Sequence, residues 1–216
     1  DIGKPLHLFV VSVDADFSPE SIHNKGKAIL LVNNGIHPGE PCGIDASLKF
    51  AEDLLSKENK LLKNTVVCII PFYNIGGGLN RSCCSRAMQN GPQEYGFRGN
   101  ARNYDLNRDF IKADTKNAKA FTKIFRALDP ELFIDNHVSN GADYQYALTH
   151  LFTQHNKLGG EAGVYLNEIL MTRLQDSLKV KKWDITPYVN VFNSQPEKDL
   201  RSSWTLLDTP LDTQPY

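Results

Sequence analysis

The chain has 216 residues and a formal net charge of −1, with 24 basic and 25 acidic side chains and 41% hydrophobic residues. That length fits one large domain with a substantial core, and the balanced charge, without blocks of one sign, argues against nucleic acid or an anionic membrane as partner. No apolar stretch approaches the roughly 18 residues that a membrane span needs. The start at Asp1 carries no charged n-region or apolar h-region, so any signal peptide is absent from this sequence; the location is left unknown, with only a slight lean to secreted or periplasmic.

In chain order, Leu6–Val13 and Lys27–Asn33 are rich in Val, Ile and Leu and read as strands. From Gly43 to Lys57 the apolar Ile44, Leu48, Ala51 and Leu55 recur at helical steps, with Lys49, Glu52 and Asp53 opposite, which predicts an amphipathic helix. Thr65–Phe72 is a near-continuous apolar run, the pattern of a strand buried on both faces. Periodicity then stops from Tyr73 to Lys112, a segment holding several glycines together with Arg81, Arg86, Arg98, Arg102 and Arg108. A loop that long inside a compact domain is usually functional or disordered.

Asp114–Leu128 predicts a helix that Asp114 or Thr115 caps and that buries Ala118, Phe121, Ile124, Phe125 and Leu128. Glu131–Asn136 reads as a strand delivering His137 at its end, Tyr144–Leu148 as a short strand, and Glu161–Leu178 as a helix with Leu166, Ile169, Leu170, Leu174 and Leu178 inward. Strands alternating with amphipathic helices argue for an α/β fold in which helices cover a largely buried sheet. Cys42 and Cys68 sit in apolar contexts that predict buried free thiols, while Cys83 and Cys84 lie in a polar loop, paired or free.

The chemistry concentrates at strand ends. His37-Pro38-Gly39-Glu40 follows the run Ala28–Asn33, and His137 lies 97 residues after Glu40. Imidazole and carboxylate are zinc ligands, and a catalytic zinc keeps three protein ligands and one open position. The bland alternative makes His37 and Glu40 caps of the helix that follows, since the helix dipole favours an acidic group there. In open α/β sheets ligands bind beyond the carboxyl ends of the strands, so both histidines would share one edge. The long loop ends in Asp105-Leu106-Asn107-Arg108-Asp109-Phe110, with Arg98 ahead of it. An arginine fork beside an asparagine amide suits a carboxylate, and Arg98 could face a developing oxyanion. The structural alternative pairs Arg108 with Asp105 as an ion pair.

These elements in this order resemble the zinc carboxypeptidases: H-x-x-E at His37 and Glu40, an arginine at Arg98, the N-R pair Asn107-Arg108, and a histidine beyond a strand at His137. The resemblance spans about residues 27–150, and Asn33–Glu40, Tyr104–Phe110 and Asp135–Tyr146 look most like a bacterial branch. It implies a mixed α/β sheet with helices on both faces and one catalytic domain over residues 1–216, incomplete at its C-terminus. It also implies one Zn²⁺ on His37, Glu40 and His137, a peptide substrate whose free C-terminal carboxylate Asn107 and Arg108 hold, and Arg98 polarising the scissile carbonyl. The implied reaction is hydrolysis of the C-terminal peptide bond by metal-activated water.

The family's general base, a glutamate on a late strand, has no match. After His137 the glutamates are Glu161, Glu168 and Glu197, none at the end of an apolar strand, and Asp208 sits in a turn-like context. The economical reading is that the base lies beyond Tyr216. Tyr188 is a weak counterpart of the family's substrate-capping tyrosine. Two alternatives remain: an aspartoacylase-type zinc deacylase of N-acyl amino acids, or a non-catalytic zinc-containing module if the chain truly ends at Tyr216. The sequence is silent on oligomeric state.

Overall fold

Ala28–Asn33 and Thr65–Ile70 are six-residue runs dominated by branched apolar side chains, and both become central strands because such residues pack well on both faces of a pleated surface. A computed structural model describes residues 1–56, 59–83, 92–140 and 144–188 of the chain. They fall in two compact units, Asp1–Val138 and the chain from Ser139 onward.

In the first unit β1 (Phe9–Val11) is followed by α1 (Pro19–Asn24), β2 (Ala28–Asn33), α2 (Pro41–Ser56), β3 (Thr65–Ile70), α3 (Ile75–Leu79), α4 (Lys116–Leu128) and β4 (Leu132–Asp135). The sheet runs β1-β3-β2-β4. β2 is parallel to β3 and to β4, and β1 is antiparallel to β3, so the sheet is mixed. Register sets Asn33 beside Ile70 on one side and beside Asp135 on the other. The carboxyl ends of β2, β3 and β4 therefore share one edge.

Helices cover both faces. On one, Ile29, Leu31, Val66, Cys68 and Ile70 pack with Tyr73, Leu106 and the α4 residues Phe121 and Leu128; on the other, Val32, Val67 and Ile69 meet Ala51 and Leu54 of α2. Phe121 centres the first face, its ring 5.3–5.9 Å from those of Phe110, Tyr73, Phe133 and Phe125. The ends of α4 follow from sequence: the Thr115 hydroxyl accepts the Ala118 N–H, and Asp129 closes the helix in the left-handed region at φ 43°.

Several boundaries differ from the sequence expectations. Of Leu6–Val13 only Phe9–Val11 enters the sheet. The buried line of α2 is Ser47, Ala51 and Leu54, while Leu48 and Leu55 are 57% and 66% exposed. Ser47 donates to Asn34 Oδ1 (3.1 Å), which turns the helix one notch from the purely apolar line. Cys42 at the start of α2 is exposed rather than buried; Cys68 is buried, which pushes its thiol up to about 11. Cys83 is disulfide-bonded, and Cys84 and Arg86 lie outside the described residues.

In the second unit β5 is Leu148–His150 rather than Tyr144–Leu148, because it pairs in parallel with β6 (Ile185–Pro187), a short strand with no strong signal of its own. Between them come α5 (His155–Leu158) and a helical run of α6 (Gly160–Val164), a π-helical segment Tyr165–Leu170, and α7 (Met171–Val180). Leu166, Leu170, Leu174 and Leu178 are half-buried, whereas Ile169 is exposed; one extra residue per π turn shifts the stripe. No helix among the described residues is long and apolar enough to cross a membrane.

Candidate metal centre

His37 to Glu40 form a turn closed by the Glu40 N–H to the His37 carbonyl at 3.0 Å. Pro38 suits the second position of such a turn. The turn brings His37 Nδ1 within 2.7 Å of Glu40 Oε1. From the end of β4, His137 Nδ1 reaches Glu40 Oε2 at 3.0 Å, and the Val138 N–H donates to the same oxygen at 3.2 Å. Glu40 thus turns to the two histidines rather than only capping α2. His37 and Glu40 are each 3% exposed.

The donor atoms of His37, Glu40 and His137 all lie within 4.8 Å of one another, and among the described residues this is the one such group of three or more. Two imidazole nitrogens and a carboxylate, convergent, with His37 and Glu40 buried and His137 open to solvent, fit zinc by donor type and number. Burial would raise the Glu40 carboxyl, but hydrogen bonds from His137 and His37 outweigh it and hold it down to about 2. Burial would lower His137, but Asp135 and Glu40 push it up to about 10.

Further residues fix these ligands from behind. His37 Nε2 meets Asp105 Oδ1 at 3.1 Å, and the other Asp105 oxygen receives Arg98 Nε at 3.0 Å and Nη2 at 2.9 Å. Asp105 also accepts the Asn107 N–H, capping the turn Leu106–Arg108. Burial would raise the Asp105 carboxyl, but His37 and the Arg98 charge hold it well below the usual range. His137 Nε2 meets Asp135 Oδ2 at 3.1 Å, and Asn33 Nδ2 donates to Asp135 Oδ1 at 2.9 Å. Asn136 is tied by its N–H to the Asn33 carbonyl (3.0 Å) and by Nδ2 to Asn34 Oδ1 (2.8 Å). Asn74, fully buried, donates to the carbonyls of Ile36 and Arg98, both at 3.1 Å, and accepts the Gly77 N–H at 2.9 Å. One side chain thereby pins the residue before His37 and the backbone of Arg98.

Of the residues singled out in sequence, His37, Glu40 and His137 converge, and Arg98 joins them through Asp105. Arg108 does not pair with Asp105; it is exposed, with Nη1 on the Asn107 carbonyl at 3.1 Å. Asn107 is half-buried on the turn that Asp105 caps. In the second unit, Glu161 and Glu168 are exposed on the helical run, and the Tyr188 hydroxyl accepts the Asn140 N–H at 3.4 Å. Glu197 and Asp208 lie outside the described residues. The residues missed in sequence are Asp135 and the role of Asp105, whose one signal was a carboxylate two positions ahead of His137 and of Asn107.

A family model described as zinc carboxypeptidase matches residues 2–140. Carboxypeptidase 2 of Trichophyton rubrum is 25% identical over 197 residues, 84% of this chain and 34% of that protein. Carboxypeptidase 2 of Trichophyton equinum is 25% identical over 181 residues, 77% of this chain and 30% of that protein. Among solved structures, a metallo-carboxypeptidase from Burkholderia cenocepacia superposes with a TM-score of 0.55 at 17% identity, over 87% of this chain and 46% of that one. The chain spans about a third of the length of these curated relatives.

Proposed function

Because the chain belongs to the zinc carboxypeptidase family, we propose that it carries the metal- and substrate-holding part of a zinc-dependent carboxypeptidase, an enzyme that hydrolyses the C-terminal peptide bond of peptides. The observation that carries this reading is the convergence of His37, Glu40 and His137 within 4.8 Å. A zinc ion there would supply a polarised water and a Lewis acid for the scissile carbonyl.

The chain's own residues would do the rest. Nδ1 of His37, Nδ1 of His137 and the Glu40 carboxylate would hold the ion. Asp105 would accept the hydrogen bond of His37 Nε2–H, which fixes the proton on Nε2 and leaves Nδ1 with its lone pair. Asp105 also grips Nε and Nη2 of Arg98, which leaves Nη1 as donor to an oxygen gaining charge during attack. Asn107 and Arg108 fix the substrate's free carboxylate by a charge-assisted, two-pronged contact. Both Trichophyton relatives are carboxypeptidases, which favours peptide hydrolysis over deacylation of N-acyl amino acids.

The test pairs equilibrium zinc binding with release of the C-terminal residue from an N-blocked dipeptide by the intact parent polypeptide. One zinc per chain and release from free but not amidated substrates is the expected result. A protein that binds no zinc, or that cleaves both substrates equally, overturns the reading.

A further inference from the structure

Position 33 is anomalous for its surroundings. Asn33 ends the apolar strand β2 and is fully buried, yet its Oδ1 has no hydrogen-bond partner among the described residues. A buried polar atom left without a partner is destabilising, so an apolar residue would be the more stable choice there. What Asn33 gains is its other end: Nδ2 donates to Asp135 Oδ1 at 2.9 Å, across the register pair Asn33↔Asp135. The second oxygen of Asp135 meets His137 Nε2 at 3.1 Å, and His137 Nδ1 faces Glu40. The chain of contacts runs from a buried strand residue to the atom that would ligate the metal.

We propose that Asp135, oriented by Asn33, is a positioning residue for His137: it accepts the hydrogen bond of Nε2–H, which fixes the proton there and leaves Nδ1 with its lone pair for the ion. The proposal rests on the metal-centre reading above. It makes the second histidine carboxylate-backed, as Asp105 makes the first. An acceptor behind a metal-bound imidazole fixes its tautomer and ring orientation, and loss of such partners typically costs about 10–100-fold in metal affinity.

Asp135→Asn is the incisive variant. Asn33 still needs an acceptor, so the new amide keeps its oxygen toward Asn33 and turns its NH₂ toward His137. Nε2 must then accept, and the proton moves to Nδ1, the metal-facing atom.

The experiment measures zinc affinity by chelator competition, the tautomer of His137 by ¹⁵N NMR of the metal-free protein at alkaline pH where its ring is neutral, and thermal stability, for wild type, Asp135→Asn, Asp135→Ala and Asn33→Leu. The expected result is about 10–100-fold weaker zinc for both Asp135 variants, an Nδ1–H tautomer in Asp135→Asn, and a smaller loss in Asn33→Leu. Wild-type affinity in the folded Asp135 variants, or an unchanged tautomer in Asp135→Asn, overturns the proposal. If the Asp135 variants do not fold, Asn33→Leu decides: unchanged zinc affinity refutes. Absence of zinc binding by the wild type would instead refute the metal centre itself.

Discussion

Gly43 provides a sharp test, because two ordinary rules give its replacement opposite signs. It lies in the first turn of α2, where alanine normally gains about 1 kcal/mol over glycine. Here an added Cβ would stand 2.4 Å from Asn136 Cβ, 3.1 Å from Asn136 Cγ and 3.0 Å from Asn34 Oδ1. Carbon atoms rest about 3.5–4.0 Å apart, so the strand end must retreat by about 1 Å. Asn136 cannot swing aside freely, being held at 3.0 Å by Asn33 and at 2.8 Å by Asn34. Overpacking costs about 1–3 kcal/mol and two weakened hydrogen bonds together up to about 2, against the 1 gained, so the net loss centres on about 2 kcal/mol. For a chain of this size that is a fall in Tm of about 4–8 °C. Because Asn136 precedes His137, zinc affinity should fall as well. Thermal unfolding and chelator competition on Gly43→Ala read both; a Tm equal to or above that of wild type would refute the packing argument.

His37→Ala or His137→Ala should abolish stoichiometric zinc, read by metal analysis after dialysis; full occupancy in both would remove the ligand assignment. Arg108→Lys should weaken peptides with a free carboxylate far more than amidated ones, because lysine lacks the bidentate fork, and equal effects in a binding assay would give Arg108 a structural role. In the metal-free protein His137 is pushed up to about 10, so its stabilising contribution is full below its unfolded value near 6.5 and is lost as pH rises through about 10. Glu40 works in the other direction: its contribution is present above the unfolded value of 4.5 and lost as pH falls through about 2. Since a metal must displace the His137 proton, zinc affinity should climb with pH between those two histidine values, and a flat chelator-competition profile over pH 6–9 would contradict it. Asn74→Ala leaves the buried Ile36 carbonyl, the half-buried Arg98 carbonyl and the Gly77 N–H short of a partner, so unfolding should show a loss of about 2–4 kcal/mol; a change below about 1 kcal/mol would count against its bracing role.

The metal-type residues are legible in sequence because their grouping is partly local: His37 and Glu40 share one turn, and both histidines follow apolar runs that end at the same sheet edge. The capped helix α4 is legible for the same reason, since Thr115 and the Ala118–Phe121–Leu128 stripe are short-range signals. What lies behind the ligands is not. Asp105 meets His37 across 68 positions, and nothing in Asp105-Leu106-Asn107-Arg108 says that Arg98 rather than Arg108 takes its second oxygen. The face of α2 was misjudged by one notch because the line Ile44, Leu48, Ala51, Leu55 and the line Ile44, Ser47, Ala51, Leu54 are both helical. The polar contact of Ser47 with Asn34 decides between them. β6 is invisible in sequence because three residues take their strand identity from β5.

The bracing around Asn74 has a consequence for how such a protein can change. The chain leaves the metal centre after Gly77 and comes back at Phe97, whose N–H donates to the Gly77 carbonyl at 2.9 Å, with the Tyr95 N–H on the Ser82 carbonyl (3.1 Å) as a further rung. Both feet of this excursion are fastened, one of them by the same amide that holds the Arg98 carbonyl. These rungs are made by main-chain atoms, so a change of side chain at Ser82 or Phe97 leaves them standing and Arg98 and His37 keep their bearings.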